Sequence, residues 1–273
     1  MAWLLDFDGV SVDAHKPTPA WRALSSHFIC KRVEQSEMHR EGYTFVCISD
    51  THGHHRQISL PKGDVLVHTG DFSKGGTVEE VKDFFLWCSA QPFKHKIVIA
   101  GNHDALLHHS YYLSSWKRFI RRRYTQKELN DLVAFIRDLE KVHYLQDEGI
   151  ELYGLKIYGS PWQPTFFNWA FNADRGESCA AIWKKIPSDI DILLTHGPPL
   201  GYGDLCATRK RAGCVDLLHH IQYRIRPRVH VFGHIHEGAG IYTDEERLYI
   251  NASSCTLRYQ PRLPPVSFSL LPE

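Results

Sequence analysis

Two histidines one residue apart, His234 and His236, follow the short hydrophobic run VHVF at residues 229–232. In extended backbone, positions i and i+2 point to one side, so both imidazoles are expected to face one small volume. Asp50 and His52 repeat that spacing after the run TFVCIS. Asp71 follows a run ending in His68-Thr69-Gly70, Asn102 follows KIVIAG, and His196 follows DILLT. Seven groups of this kind are too many for one tetrahedral ion and suit two ions that share a ligand. Mixed nitrogen and oxygen donors fit Mn, Fe, Zn, Co or Ni, whereas structural zinc prefers closed, cysteine-rich shells. Two ions about 3.5–4 Å apart are a known solution for displacement at phosphorus. Each residue alone has an ordinary explanation: Asp50 as a turn residue, Asn102 as an Asx turn. With 18 histidines, some close pairs arise by accident. The set does not reduce to such accidents, because it needs five independent strand ends. His68, inside a strand, is read as structural.

Positioning these groups requires strands that end together. The β-prone runs are 44–49, 64–68, 96–100, 155–160, 191–195, 229–232 and 247–252, most of them closed by Gly, Asp, Asn or His. Helices lie between them. Thr77 with Glu80 forms a capping box ahead of the stripe Val81, Phe84, Phe85 and Cys88. Thr125 with Glu128 forms another, ahead of Leu129, Leu132, Val133, Ile136 and Leu139, a stripe that serves either the core or a homodimer contact. Further helices are expected at 175–186 and around Leu217, Leu218 and Ile221. Strands alternating with helices argue α/β with substantial parallel sheet, and sites in such sheets gather beyond the strands' carboxyl ends. Glycines at 70, 101 and 233 suit sharp turns or a close approach there. Residues 1–42 show little period and read as an irregular N-terminal extension to a domain spanning 43–273.

Composition narrows the function classes. At 43% hydrophobic and 23% charged residues over 273, the chain is globular and long enough for a sizeable core. Lys+Arg at 32 against Asp+Glu at 31 supplies no argument for polymeric nucleic acid or a membrane surface as partner. The basic run RRR at 121–123 reads as a solvated face. Seven scattered cysteines, without a CxxC pair, suggest reduced thiols and a cytoplasmic protein. The start, MAWLLDFDGV, lacks signal-peptide character, and no run reaches 18 uncharged apolar residues.

The blocks DTH (50–52), GD (70–71), GNHD (101–104), THGPP (195–199) and GHIH (233–236) together resemble the calcineurin-like metallophosphoesterases. CISDTH, HTGDF, KIVIAGNH, DILLTHGPPLG, VHVFGHIHEG and INASSCT are similar to one branch, the metallophosphoesterase-domain-containing (MPPED-type, UPF0046) proteins. The resemblance covers about residues 43–255. It implies a four-layer α/β/β/α sandwich and two divalent transition-metal ions, Mn2+ first among them. It assigns Asp50, His52 and His236 to one ion, Asn102, His196 and His234 to the other, and Asp71 to both. It makes His103 the phosphate contact and general acid, partnered by Asp50 or Asp104, and implies hydrolysis by hydroxide attack on phosphorus.

The implied substrate is a small phosphodiester, with cyclic nucleotides as the favoured class. Asn102, His103, His196, Gly197 and Pro198 are the expected substrate contacts, the Gly-Pro-Pro segment as a rigid rim. Trp162, Phe166, Phe167, Trp169 and Phe171 offer either a slot for a base or core packing. Arg209 and Arg211 are either phosphate contacts or solvated. Two other readings compete: a nucleotide-binding module without turnover, and a phosphomonoesterase or protein phosphatase on the same ions. LLDFDGV at 4–10 resembles the nucleophile motif of haloacid-dehalogenase phosphatases, but nothing downstream completes such a site.

Overall fold

The computed structural model describes residues 2–38, 41–115, 117 and 123–272. At the amino-terminal end, β1 (Leu4–Phe7) and β2 (Val10–Asp13) form a hairpin, followed by α1 (Pro17–Leu24) and β3 (Lys31–Val33). This replaces the irregular stretch expected from sequence. The hairpin turn is Asp8-Gly9, with φ of 51° and 91°, as a two-residue type I′ turn requires. The LLDFDGV motif is therefore a turn: Asp6 and Asp8 are exposed, and Asp6 Oδ1 accepts the Gly9 N–H at 3.0 Å. Pro17 opens α1, where a missing N–H leaves no bond unmade, so prolines that looked like breakers start a helix.

All seven β-prone runs form strands: β4 (Tyr43–Ile48), β5 (Val65–Thr69), β6 (His95–Ile99), β9 (Leu155–Ser160), β12 (Ile192–Thr195), β13 (Val229–Phe232) and β15 (Leu248–Asn251). Between and after them come α2 (Val78–Ser89), α3 (His109–Ser115), α4 (Gln126–Arg137), β7 (Val142–Tyr144), β8 (Glu148–Leu152) and the short pair β10 (Gln163–Pro164) and β11 (Asn172–Ala173). The remaining elements are α5 (Glu177–Trp183), α6 (Val215–His220), β14 (Gly240–Thr243) and β16 (Val266–Leu270). One sheet runs β16-β4-β5-β6-β7, the other β3-β14-β15-β13-β12-β9-β8. Pairs from β4 to β7 and from β9 through β12 and β13 to β15 are parallel, with antiparallel strands at the edges.

Strand alternation builds the layers. Phe45 and Cys47 of β4 face the space between the sheets, while Val46 and Ile48 face the helices. Ile192 and Leu194 of β12 likewise face inward and Leu193 outward. Both strand faces are buried, which is why these segments read as continuous apolar runs. α2 and α4 cover the five-stranded sheet, and α1, α5 and α6 cover the other. The architecture is an α/β/β/α sandwich. Both capping boxes form, Glu80 N to Thr77 Oγ1 at 3.1 Å and Glu128 N to Thr125 Oγ1 at 3.3 Å. Leu129, Leu132 and Ile136 of the α4 stripe are buried in the core and Leu139 packs against it, while Val133 is half-buried. Arg121 and Arg122 lie outside the described residues. Among the described residues, no helix is long and apolar enough to cross a membrane.

Two histidines make the fold acid-sensitive. His230 on β13 is 1% exposed, beside Phe232 and Tyr249, and burial holds its pKa down to about 3. Burial does the same to His68, also to about 3. Its Nδ1 accepts the Gly70 N–H at 3.2 Å, so Nε2 carries the proton toward Thr51 Oγ1 at 3.0 Å, a structural role. Below about pH 6.5 the unfolded chain binds protons that these folded rings refuse, so stability is present above that value and lost as pH falls. The expected loss between pH 7.5 and 5.5 is about 1.4 kcal/mol per ring. Urea unfolding of wild type and His230→Gln at both pH values measures it: the variant should lose about 1.4 kcal/mol less than wild type, and an equal pH dependence of the two would mean that the ring titrates freely in the fold.

Candidate metal centre

The carboxyl ends of β4, β5, β6, β12 and β13 converge at one edge of the sandwich, where a parallel bridge between Ser49 and Ser253 ties the sheets together. The backbone there is not extended. Asp50, His52, Asp71 and His234 have φ of 50°, 41°, 57° and 68°. The left-handed region costs a residue with a β-carbon on the order of 1–3 kcal/mol, and it persists only where surroundings enforce it. Here they do: Asp50 N donates to Gly70 O and His52 N to Asp71 O, both at 2.9 Å, and His234 N donates to the Asp50 carboxylate at 3.0 Å. Both histidines line one small cleft, as expected, but not from extended backbone. His234 and His236 reach the same site but different clusters, because the chain leaves β13 through a left-handed turn rather than in extended form.

Asp50, His52 and His236 form one cluster and Asp71, His196 and His234 another, each with its ligand atoms within 4.8 Å of one another. Asp71 also joins His52 and His103 in a third, so its carboxylate lies between the first two. Its Oδ2 is 3.4 Å from His196 Nε2, 3.9 Å from His52 Nε2 and 4.0 Å from His103 Nε2. Asn102 Oδ1 is 3.0 Å from His196 Nε2. All seven expected ligands are thus brought together.

The donor set fits two divalent ions. His196 Nδ1–H donates to Thr69 O at 2.9 Å and His236 Nδ1–H to Thr256 O at 3.0 Å, which turns both Nε2 atoms into the site. Outer partners of this kind fix ring orientation in metal centres. His52 Nε2 and His236 Nε2 face each other at 3.3 Å, and the buried Nδ1 of His52 has no partner among the described residues. Burial opposes charge on Asp50, but the His236 bond and the imidazolium charges hold its carboxyl below the usual range. Burial likewise opposes charge on Asp71, and His196 and His103 outweigh it. Against the same burial, Asp71 lifts His196 to about 9 and Asp50 lifts His236 to about 9. Burial lowers His52 to about 4 and His234 to about 3. Cations bound among these groups compete with the protons on His196 and His236.

Two glycines make the close approach feasible. A β-carbon on Gly233 would sit 2.1 Å from Asp50 Oδ2 and 2.1 Å from Ser49 Oγ. One on Gly101 would sit 2.3 Å from Asp71 Oδ1. Gly233→Ala is expected to displace the Asp50 carboxylate and weaken metal binding at least about tenfold, as loss of an orienting partner does. Equilibrium dialysis with Mn2+ on the folded variant checks this; wild-type affinity would show that the loop yields without moving Asp50.

His103 sits at the mouth. Its Nδ1–H donates to Lys74 O at 2.7 Å, so its partner is neither Asp50 nor Asp104. Asp104 is buried and accepts N–H groups of Asp71 and Gly101, both at 2.8 Å, and of Ser73 at 3.0 Å. Burial and the Asp71 charge raise it to about 7. Trp169 stacks on His103, centroids 4.1 Å apart at 28°. Of the other aromatics, Phe171 is core, Trp162 donates to Asp147 Oδ2 at 2.9 Å, Phe167 is solvent-exposed and Phe166 lies edge-on to His234 at 5.2 Å.

Asn102 and His103 line the cleft. His196, Gly197 and Pro198 are buried behind its wall, Gly197 against Gln163, so the expected Gly-Pro-Pro rim is a packed support. Arg211 is paired with Asp204 and stacked over Trp21, and Arg209 is exposed. Sequence reasoning left Ser253, Asn251 and Tyr259 without roles. Ser253 Oγ donates to Asp50 Oδ2 at 2.9 Å, Asn251 Nδ2 to Ile235 O at 2.8 Å, and Tyr259 contacts the His52 ring at 4.6 Å. The signal for Asn251 and Ser253 was the polar run NASS after a strand end, which does not reach Tyr259.

A profile of the calcineurin-like phosphoesterase family matches residues 43–238. Metallophosphoesterase domain-containing protein 1 of Homo sapiens is 44% identical over 243 residues, covering 84% of this chain and 72% of that protein. Two UPF0046 proteins of Caenorhabditis elegans are 38% and 35% identical, each covering 93% of this chain and, respectively, 67% and 92% of their own lengths. A crystal structure superposes with a TM-score of 0.56 at 14% identity, over 77% of this chain and 90% of that one, a likeness of fold alone. Profile, relatives and strand arrangement agree, and the chain belongs to the calcineurin-like metallophosphoesterase family, related at moderate identity to metallophosphoesterase domain-containing protein 1 and the UPF0046 proteins.

Proposed function

We propose that this chain is a dinuclear-metal phosphodiesterase acting on a small phosphodiester, with nucleotides, cyclic ones included, as the substrate field. One observation carries the reading: an orientable acid, His103, stands beside two ligand clusters on either side of Asp71. Asp50, His52 and His236 would hold one ion, Asn102, His196 and His234 the second, and Asp71 both. When bound, two divalent ions, Mn2+ as first choice, supply a strong nucleophile from water at neutral pH and neutralise charge on the phosphoryl oxygens.

The chain's own residues do the rest. His103 directs Nε2 at the reacting phosphate and protonates the leaving oxygen; Lys74 O and Trp169 keep the ring from swinging away. Asp71 and Asp50 provide the negative charge that gathers cations, and Ser253 keeps Asp50 in place. Phe166, Leu257 and Tyr259 give the cleft apolar walls against which a base can lie. A cytoplasmic setting belongs to this reading, supported by seven free thiols, five of them buried.

The test is Mn2+-dependent hydrolysis of bis-p-nitrophenyl phosphate against p-nitrophenyl phosphate. Faster diester turnover is expected. Faster monoester turnover would move the reading to a phosphomonoesterase. No turnover of either ester, in protein shown to carry two ions, would leave a nucleotide-binding module.

A further inference from the structure

The cleft over the metal centre is small, about 180 Å³, below the roughly 300–1,000 Å³ usual for small-molecule sites. Among the described residues, no Lys or Arg lines it. A larger groove of about 580 Å³ adjoins it, and the two share His236, Glu237 and Leu257 as walls. Arg32, Arg258 and Arg262 line this groove. Glu237, the one carboxylate in its lining among the described residues, already accepts the Ala207 N–H at 2.7 Å. Among the described residues, Arg258 and Arg262 have no ion-pair partner, in contrast to Arg211, which Asp204 holds.

The groove is built rather than incidental. Residues 256–260 form a tight turn, Thr256 N donating to Gln260 O at 2.9 Å, closed by a bridge between Cys255 and Pro261. At φ of 55°, Tyr259 leaves this turn toward the His52 ring, while Arg258 lines the groove on the other side. Arg32 comes from β3, in register with Tyr242 of β14, and its Nη2 donates to Ala239 O at 3.3 Å. Residues before the matched family region thus contribute a wall to the space beside the site. Three guanidinium groups against one engaged carboxylate make a local field for an anion, and guanidinium forks match phosphate oxygens in pairs.

We infer that this groove is a second-anion subsite: the substrate carries a further phosphate, beyond the scissile diester, that binds Arg258 and Arg262 within reach of Arg32. The inference rests on the phosphodiesterase reading for the position of the scissile group. It narrows the substrate class to diesters with an additional phosphate, such as a phosphorylated cyclic nucleotide or a dinucleotide with a terminal phosphate; a simple cyclic nucleotide would leave the groove unused.

The test has two arms on the full chain loaded with Mn2+. In the first, thymidine 3′,5′-bisphosphate and thymidine 5′-monophosphate are titrated into wild type and Arg258→Gln/Arg262→Gln by calorimetry. The bisphosphate is expected to bind at least about tenfold more tightly to wild type, with the difference lost in the variant. In the second, the p-nitrophenyl ester of thymidine 5′-phosphate is compared with and without a 3′-phosphate. The variant should raise KM for the phosphorylated ester alone and leave bis-p-nitrophenyl phosphate kinetics unchanged. No preference for the bisphosphate in wild type, or one that survives in the variant, overturns the subsite. A preference lost instead in Lys74→Gln also overturns it, by placing the second anion across Tyr259, in the space of about 330 Å³ that Lys74 lines. If no ester turns over, the hydrolase reading fails, while the binding arm still decides the groove.

Discussion

Asp71→Asn is expected to lower diester turnover by at least about 10³-fold and to bring bound Mn2+ below two ions per chain. The substitution keeps the shape and one hydrogen bond: Oδ1 accepts the His103 N–H at 2.8 Å, and an amide oxygen can do the same. The amide nitrogen then takes the place of Oδ2, which faces Nε2 of His196 at 3.4 Å and of His52 at 3.9 Å. A neutral NH2 group cannot hold cations on both sides. The buried carboxylate also sustains the charge on His196, so its removal unbalances the centre while the fold stays intact. Metal content by mass spectrometry, alongside kinetics and circular dichroism, checks this. Two tightly held ions and wild-type turnover would remove Asp71 from its shared position.

His103→Ala is expected to cost about 10²–10⁴-fold on a diester with an alkoxide leaving group, the usual contribution of a general acid. The loss should shrink to about tenfold or less when p-nitrophenolate leaves, since that group departs without a proton. A purely structural role would lower both rates alike, so the ratio of the two losses is the informative quantity. His103 also lies in a cluster with His52 and Asp71, so metal content belongs in the same experiment. Two ions retained, with a leaving-group-dependent loss, supports the acid. Loss of an ion would recast His103 as a ligand. The packing allows the substitution, because the ring meets Trp169 and Lys74 O at the cleft mouth rather than in the core.

Much of the centre was legible because its residues are ionisable groups at strand ends. Asp50, His52, Asp71, Asn102, His196, His234 and His236 stand after apolar runs, and strand ends in a parallel sheet must converge. The capping boxes at Thr77 and Thr125 were equally readable, since a cap is a contact between residues three apart. The residues around the centre were less so. His103 takes its partner from Lys74, whose contribution is a backbone carbonyl that has no letter in the sequence. Ser253 reaches Asp50 across 203 positions.

By itself the sequence determined seven of the strands, the two capped helices and, by resemblance, the family, and it singled out the candidate ligands, because each depends on residue type and short-range spacing. Only the tertiary structure decided the backbone that delivers those groups, their division between two ions being what the resemblance implies. It sent His234 and His236 to different clusters through a left-handed turn at His234. It buried Gly197 and Pro198 that were expected at the rim. It drew the amino-terminal segment into a hairpin, a helix and an edge strand, and set Arg32 beside Arg258 and Arg262. The physical reason is the same in each case. Backbone handedness at a turn and the meeting of residues more than 200 positions apart are settled by packing two sheets face to face, which local pattern does not encode.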